Sequence, residues 1–294
     1  MSRILVIVGP TACGKTKVSI ELAKYLNAEI INADAVQVYK DVNIGTAKIS
    51  KEEMQAIPHH LIDCVSLDKK YTIYDYQKDG RRILNKLINE NKNIIIVGGS
   101  GLYIKSLLYD YDLEPEIKNK KDYKDLTNEE LKKLVNSIDL NNNIHINNRK
   151  RLLRYLEHYN NTGNIIKNNE LKDKPLYDFK MIYLKPDRKE LYQIINNRVE
   201  DMIKKGLIEE AKSLFDKNIN TNSIIGYKEL NEYFKENITL EEAIDEIKKN
   251  TRRYAKRQLT WINNQFKDKI EVNVNYNNFN ESIEEVFRII KESF

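Results

Sequence analysis

Cysteine is nearly absent from this chain. Two residues in 294, Cys13 and Cys64, cannot build a disulfide framework or a four-cysteine zinc site, and a reducing cytoplasm is the simplest setting for them. Long hydrophobic runs are absent as well. The first apolar stretch, Ile4–Val8, is far too short for a signal h-region or a membrane span, and no later one approaches a span. A cytoplasmic protein with no membrane partner is therefore expected. There is no large charge excess: the net charge is +5, so only local clustering of positive residues says anything about partners. No internal repeat is visible, which excludes a solenoid. What is left is a globular composition, 41% hydrophobic and 32% charged, long enough for one large domain or two smaller ones.

The order of patterns gives the fold class. Ile4–Val8 is a continuous apolar run ending at glycine, the mark of a strand buried on both faces. A helical spacing of Val18, Leu22 and Leu26 follows it. Ile30-Ile31 is a second short strand running into Asn32-Ala-Asp34. A helix is expected over 74–91, a strand over 93–97 closed by Gly98-Gly-Ser-Gly101, and a helix from about Leu102 to Tyr109. Strands that alternate with helices make an α/β protein, a parallel sheet flanked by helices.

Strand character then stops. Glu114–Asp125 is a mixed-charge run around Pro115, Thr127-Asn-Glu-Glu130 has the spacing of a capping box, and a second helix spans about 147–161 before Thr162-Gly163. Residues 113–176 read as an inserted all-helical subdomain, with the core in 1–112 and 177–294. The core resumes as a strand over 179–184, and Asp187 and Glu190 cap the next helix, which ends at Gly206. Helices are expected over 207–217 and from near Gly226. Thr239 and Glu242 open a long one past Trp261, and a strand over 270–274 and an amphipathic helix complete the chain.

The chemistry begins at the first strand. Gly9-Pro10-Thr11-Ala12-Cys13-Gly14-Lys15-Thr16 meets G-x-x-x-x-G-K-[ST] in full, between a strand and a helix, which is the context the motif requires. Loop amides and the helix N-terminus converge on an anion, Lys15 adds a point charge, and the Thr16 hydroxyl suits Mg²⁺ bound to phosphate oxygens. An ordinary glycine-rich turn would not meet every position. Cys13 fits as a small residue at a variable position, and its place near a helix N-terminus also allows a lowered thiol pKa. A P-loop alone suggests a kinase or nucleoside triphosphatase, yet the strand over 93–97 delivers no Asp or Glu to the metal. The acidic candidate is Asp34, after the second strand. Strand carboxyl ends line the crevice of a parallel sheet, so Asp34 and Ser100 should face the P-loop. On spacing alone Asp34 is equally a cap and Ser100 equally a turn residue.

These segments resemble the tRNA dimethylallyltransferase (tRNA isopentenyltransferase) family. The match runs through Gly9–Thr16, Asn32-Ala-Asp-Ala-Val-Gln-Val-Tyr-Lys40, Asn43-Ile-Gly-Thr-Ala-Lys48, Pro58-His-His-Leu-Ile-Asp63 and Val97-Gly-Gly-Ser-Gly-Leu-Tyr103. It continues through Arg151-Leu-Leu-Arg-Tyr-Leu-Glu157, Gly226-Tyr-Lys228 and Arg252-Arg-Tyr-Ala-Lys-Arg-Gln-Leu-Thr-Trp261, in family order across nearly the whole chain. The resemblance implies transfer of a dimethylallyl group from its pyrophosphate to the exocyclic amine of the adenosine on the 3′ side of the anticodon. The P-loop would then hold dimethylallyl pyrophosphate with Mg²⁺, and the missing acid follows, because no γ-phosphate is transferred. By the same resemblance Asp34 is the base that assists the amine. Ser100 stands where the family usually has threonine, which donates to the bridging oxygen, and Ala35 replaces the usual serine after the aspartate.

The tRNA partner, through its anticodon stem-loop, is implied to meet Asp34, Ala35, Val36 and Gln37, then Lys150, Arg151, Leu152, Leu153 and Arg154, then Arg252, Arg253, Lys256 and Arg257. For the substrate that the resemblance implies, a base in folded RNA must leave its stack to reach a reagent in a cleft, which calls for a basic surface at the mouth. Arg149–Arg151 with Arg154 form one cluster; Arg252/Lys256 and Arg253/Arg257 are i,i+4 pairs in another. A solvated helix face would give one such cluster. Tyr155 and Tyr159 fit base stacking or core packing equally, and His59 and His60 belong to no metal-spacing pattern. Rival readings are an adenylate isopentenyltransferase acting on free nucleotide, a small-molecule kinase, and an RNA-binding module. A monomer is expected.

Overall fold

The computed structural model describes residues 2–111, 113, 123, 125–165 and 173–293. It divides into two compact units, the described residues of Met1–Tyr109 with Pro175–Phe294, and those of Asp110–Lys174.

In the larger unit the elements run β1 (Ile4–Val8), α1 (Lys15–Leu26), β2 (Ala28–Asn32), β3 (His59–His60), α2 (Ile73–Asn89), β4 (Asn93–Gly98) and α3 (Gly101–Leu108). The smaller unit supplies α4 (Asn128–Ile138) and α5 (Arg149–Thr162). The larger then resumes with β5 (Lys180–Pro186), α6 (Arg188–Lys204), α7 (Leu207–Asp216), α8 (Tyr227–Phe234), α9 (Leu240–Gln265), β6 (Ile270–Val274) and α10 (Phe279–Ser293). All strand pairs are parallel, in the order β3-β2-β4-β1-β5-β6.

Alternation sends β1, β2, β4 and β5 into two cores. Ile4, Val6, Val8, Ile94 and Ile96 pack with Tyr76, Leu84, Ile104, Leu107 and Ile262 on one face. Leu5, Ile7, Ile30, Ile95 and Ile182 pack with Val18, Leu22, Val286 and Ile290 on the other. Truncating one of these side chains to alanine costs roughly 2–5 kcal/mol, because neighbours fill the cavity only in part. A third cluster joins α6–α9 around Leu207, Leu214, Tyr227 and Leu230, and takes in Val42 from the long β2–β3 connection.

The caps are set locally. Thr72 with Asp75 and Thr239 with Glu242 form capping boxes in this unit, and the Asp187 carboxylate accepts from Lys189 N and Glu190 N. In the smaller unit Thr127 and Glu130 do the same, and Gly163, left-handed at φ 70°, ends α5. Its core is Leu131, Val135, Leu152, Tyr155 and Leu156.

Register places the site. Val8 pairs with Gly98, and Asn32 with Val97, so β1, β4 and β2 end side by side. Gly9, Ser100 and Asp34 therefore emerge at one edge of the sheet, the carboxyl edge where ligands bind in open α/β sheets.

Candidate active site

The P-loop takes its shape from two left-handed residues, Ala12 at φ 65° and Gly14 at φ 85°, the backbone habit of anion-binding concavities. Gly14 has a second constraint, since a Cβ there would meet the Phe279 ring at 2.1 Å. Phe279 and Tyr276, whose hydroxyl donates to Ala12 O at 3.2 Å, close one side of the loop. The Lys15 ammonium donates to Pro10 O and lies 3.9 Å from Cys13 Sγ, so its charge stays over the loop. Thr16 is exposed on the first turn of α1. Cys13 is fully buried, and burial pushes its thiol pKa up against the weaker pull of Lys15. The lowered pKa allowed by its position near the helix N-terminus is thereby corrected: desolvation outweighs the nearby charges.

Asp34 stands across the end of β4. Its Oδ1 accepts from Val36 N at 2.8 Å and Gln37 N at 3.2 Å, which fixes one carboxylate oxygen in a turn and leaves Oδ2 for other work. Ser100 is the residue before α3. Its amide donates to Ala33 O at 3.2 Å and its hydroxyl accepts from Ala35 N at 3.1 Å. The two residues are thus tied to each other through Ala33 and Ala35, and Ser100 Oγ keeps its proton for a second partner. The close approach of β4 to β2 needs Gly98, where a Cβ would fall 2.1 Å from Ala33 O.

Three residues to which the sequence reading gave no role complete the site. Gln258, buried on α9, accepts from Thr11 N at 2.8 Å and donates to Gly99 O at 3.1 Å, so one side chain braces the P-loop against the β4 loop. Arg198 on α6 points its guanidinium at Thr11 Oγ1, 3.4 Å away. Burial lowers its pKa, while the charge of Asp34 acts the other way, so Arg198 lies within electrostatic reach of both the P-loop and Asp34. Tyr254 on α9 has its hydroxyl pKa raised by burial first and by Asp34 second, with Ser100 and Gln258 as hydrogen-bonding neighbours. The one signal for Arg198 is its place on α6, seven residues after buried Leu191 and three after buried Ile195.

The basic clusters fall on separate units. In the smaller unit Lys150, Arg151 and Arg154 are exposed. Arg149 turns inward and donates to Leu126 O at 2.6 Å and Tyr123 O at 3.1 Å. Leu152 is fully buried and Leu153 packs partly against the same cluster. Expecting the Leu152 side chain at an RNA surface is therefore corrected, because α5 needs that position for its core. Tyr155 is buried as well, with its hydroxyl on Asp139 Oδ2 at 3.1 Å, which leaves no face for base stacking. In the larger unit Arg253, Lys256 and Arg257 are exposed along α9, and Arg252 bonds Asn196 Oδ1 at 2.5 Å. His59 and His60 are structural members of β3: His59 Nδ1 lies 2.8 Å from Ile57 O and His60 Nε2 2.8 Å from Glu29 Oε2.

Among the described residues no group of three or more His, Cys, Asp or Glu is placed to hold a metal, and no helix is long and apolar enough to cross a membrane. The exposed Thr16 hydroxyl is a hard oxygen donor beside the loop amides. It suits Mg²⁺, which takes most of its ligands from phosphate and water.

Comparison with known proteins follows the same lines. The model of the IPP transferase family matches residues 37–265. The tRNA dimethylallyltransferase of Enterococcus faecalis (strain ATCC 700802 / V583) is 45% identical over 276 residues, 90% of this chain and 89% of that one. That of Alkaliphilus oremlandii (strain OhILAs) is 45% identical over 275 residues, 88% of each. A solved tRNA delta(2)-isopentenylpyrophosphate transferase from Staphylococcus epidermidis is 36% identical, with TM-score 0.75 and all of both chains covered. A eukaryotic dimethylallyltransferase solved acting on tRNA is 26% identical, with TM-score 0.86 over 98% of this chain and 78% of its own. With a family match over most of its length and relatives of this closeness covering nearly all of it, the chain belongs to the IPP transferase family.

Proposed function

We propose that this protein is a tRNA dimethylallyltransferase. It moves the dimethylallyl group of dimethylallyl pyrophosphate onto the exocyclic amine of the adenosine 3′ to the anticodon. The observation that carries the reading is the placement of Asp34 and Ser100 beside an intact P-loop with no acidic residue at the end of β4. That arrangement suits departure of a whole pyrophosphate and activation of an acceptor, whereas γ-phosphate transfer needs a metal-holding acid there.

The donor's pyrophosphate sits on the amides of Gly9–Thr16. Lys15 and Arg198 balance its charge, and the Ser100 hydroxyl donates to the bridging oxygen that becomes the leaving group. Mg²⁺ held at Thr16 supplies further charge neutralisation when bound. As the adenine amine attacks, its nitrogen forms a bond to the first prenyl carbon, and that carbon's bond to oxygen breaks. The N–H proton passes to Asp34 Oδ2 and the electron pair leaves with pyrophosphate. An adenine amine is a weak nucleophile, because its lone pair is delocalised, and a base within about 2.6–3.2 Å raises its reactivity. The base must leave its stack to arrive there, and the exposed cations of α5 and α9 are the surfaces that grip the anticodon stem-loop.

The test is incubation of the chain with labelled dimethylallyl pyrophosphate, Mg²⁺ and unmodified tRNA, followed by nucleoside mass analysis. Label on that one adenosine is expected, with one pyrophosphate released per transfer and loss of activity on chelation. Transfer to AMP in preference to tRNA, or consumption of ATP, would overturn the reading.

A further inference from the structure

The β2–β3 connection carries Asp34 at its start and then runs through Asn43–Lys48 with little regular structure of its own. One side chain from elsewhere organises it. The Glu210 carboxylate on α7 accepts from three successive amides: Asn43 N at 3.0 Å, Ile44 N at 3.0 Å and Gly45 N at 3.2 Å. The Tyr227 hydroxyl donates to the same carboxylate and accepts from Gly45 N at 3.2 Å. Gly45 has to be glycine for this, because a Cβ would stand 2.5 Å from the Tyr227 ring. Val42 buries its side chain in the α6–α9 cluster just before the clamp.

The clamp reaches the site through one residue. Gln37 Nε2 donates to Thr46 O at 3.0 Å and Ala47 O at 3.3 Å, and the Gln37 amide donates to Asp34 Oδ1 at 3.2 Å. The same turn that aims Asp34 is thus held from behind by the segment that Glu210 holds. The hydrogen bonds of this assembly run among Glu210, Tyr227, Asn43–Ala47, Gln37 and Asp34, all on the acceptor side of the cleft.

We infer that Glu210, assisted by Tyr227, is a positioning residue for Asp34, acting through Asn43–Ala47 and Gln37. The inference rests on Asp34 being the base proposed above. Charge-assisted hydrogen bonds to a carboxylate are roughly twice as strong as neutral ones, and misplacing a reacting group by about 1 Å can cost on the order of 10²-fold in rate. Burial and the Glu210 carboxylate hold the Tyr227 hydroxyl pKa well above its ordinary value, so it remains a donor throughout the working range.

Glu210→Gln keeps the volume and turns an NH₂ group toward N–H donors. With the full chain, at a temperature below the variant's unfolding, kcat is expected to fall about 10-fold or more by this misalignment argument while KM for dimethylallyl pyrophosphate stays within about twofold. Gln37→Leu should lower kcat similarly, and the double variant should be no worse than either alone, since both break one linkage. Tyr227→Phe should give a smaller loss of the same kind, and with Gln37→Leu it carries the test if Glu210→Gln does not fold. Unchanged kcat in folded variants, equal losses toward both substrates, or additive effects would overturn the inference. A wild-type chain that transfers beside an unimpaired Glu210→Gln defeats this inference alone. A wild-type chain with no transfer defeats the function reading with it.

Discussion

The two halves of the cleft are built in opposite ways. The donor half, Gly9–Thr16, gets its shape from its own backbone: two left-handed residues, a tight strand–helix turn and a helix N-terminus. The acceptor half, Asp34–Lys48, has an irregular backbone whose shape is imposed by side chains from distant elements, Glu210 and Tyr227 above all. Backbone-determined geometry writes itself into a local motif, whereas geometry imposed from a distance leaves only scattered polar residues.

The sharpest way to break this contrast is at Asp34. Asp34→Asn should keep the fold and the tRNA affinity and lose prenyl transfer by about 10²-fold or more, because the amide cannot take the proton. Single-turnover assays with binding measured in parallel would check it, and near-normal turnover would remove Asp34 from the chemistry. On the donor half, Lys15→Ala and Arg198→Ala should each cost about 10²-fold in kcat/KM, the usual scale for one charge-stabilising donor. The loss should sit in the prenyl pyrophosphate parameters, the mirror image of the Glu210 effect. If Arg198→Ala instead changed tRNA binding alone, the division of the cleft would be redrawn.

Gly14→Ala probes the backbone itself. An alanine must adopt φ near 85° and push Phe279 away, at a cost of at least about 1–3 kcal/mol from strain alone. Thermal unfolding with and without the prenyl substrate would show it. The mildest test concerns the exposed cations of α9. Log affinity for tRNA should fall with log salt by about 0.7–0.9 per phosphate contact, and removing Arg253, Lys256 or Arg257 singly should lessen that slope by about one contact each. A slope unchanged in all three variants would place the RNA elsewhere.

The same contrast explains what was legible in the sequence. Strand β6 and helix α1 fall where the periodicity placed them, Ile270–Val274 and Lys15–Leu26, and the capping residues Thr127, Asp187 and Thr239 mark true helix starts. Such signals are local, and the core pattern is strong. The strand β3 was missed because it has two residues, His59 and His60, and exists only by pairing with Ile30 and Ile31. The P-loop was fully readable. Asp34 and Ser100 were readable as candidates because register carries the ends of β2 and β4 to the same edge. Arg198, Gln258 and Glu210 were not, since each meets its partner across more than 150 residues of chain and a lone polar residue on a helix has no period. Leu152 shows the converse error, a residue of a basic helix taken as surface when its position fills a core, whereas Tyr155, open to either role, takes the packing one.

Helix α9 has one further consequence. Its outward positions carry Arg253, Lys256 and Arg257, while its inward positions carry Ala255, Gln258 and Ile262, with Gln258 bracing two loops at once and Trp261 filling the space beside Gly101. An amphipathic helix ordinarily has a neutral flank on which mutations drift unnoticed. Over 252–261 that flank shrinks to little more than Thr260, between a core face, a loop brace and a row of cations, and this stretch forms the longest continuous segment of the family resemblance.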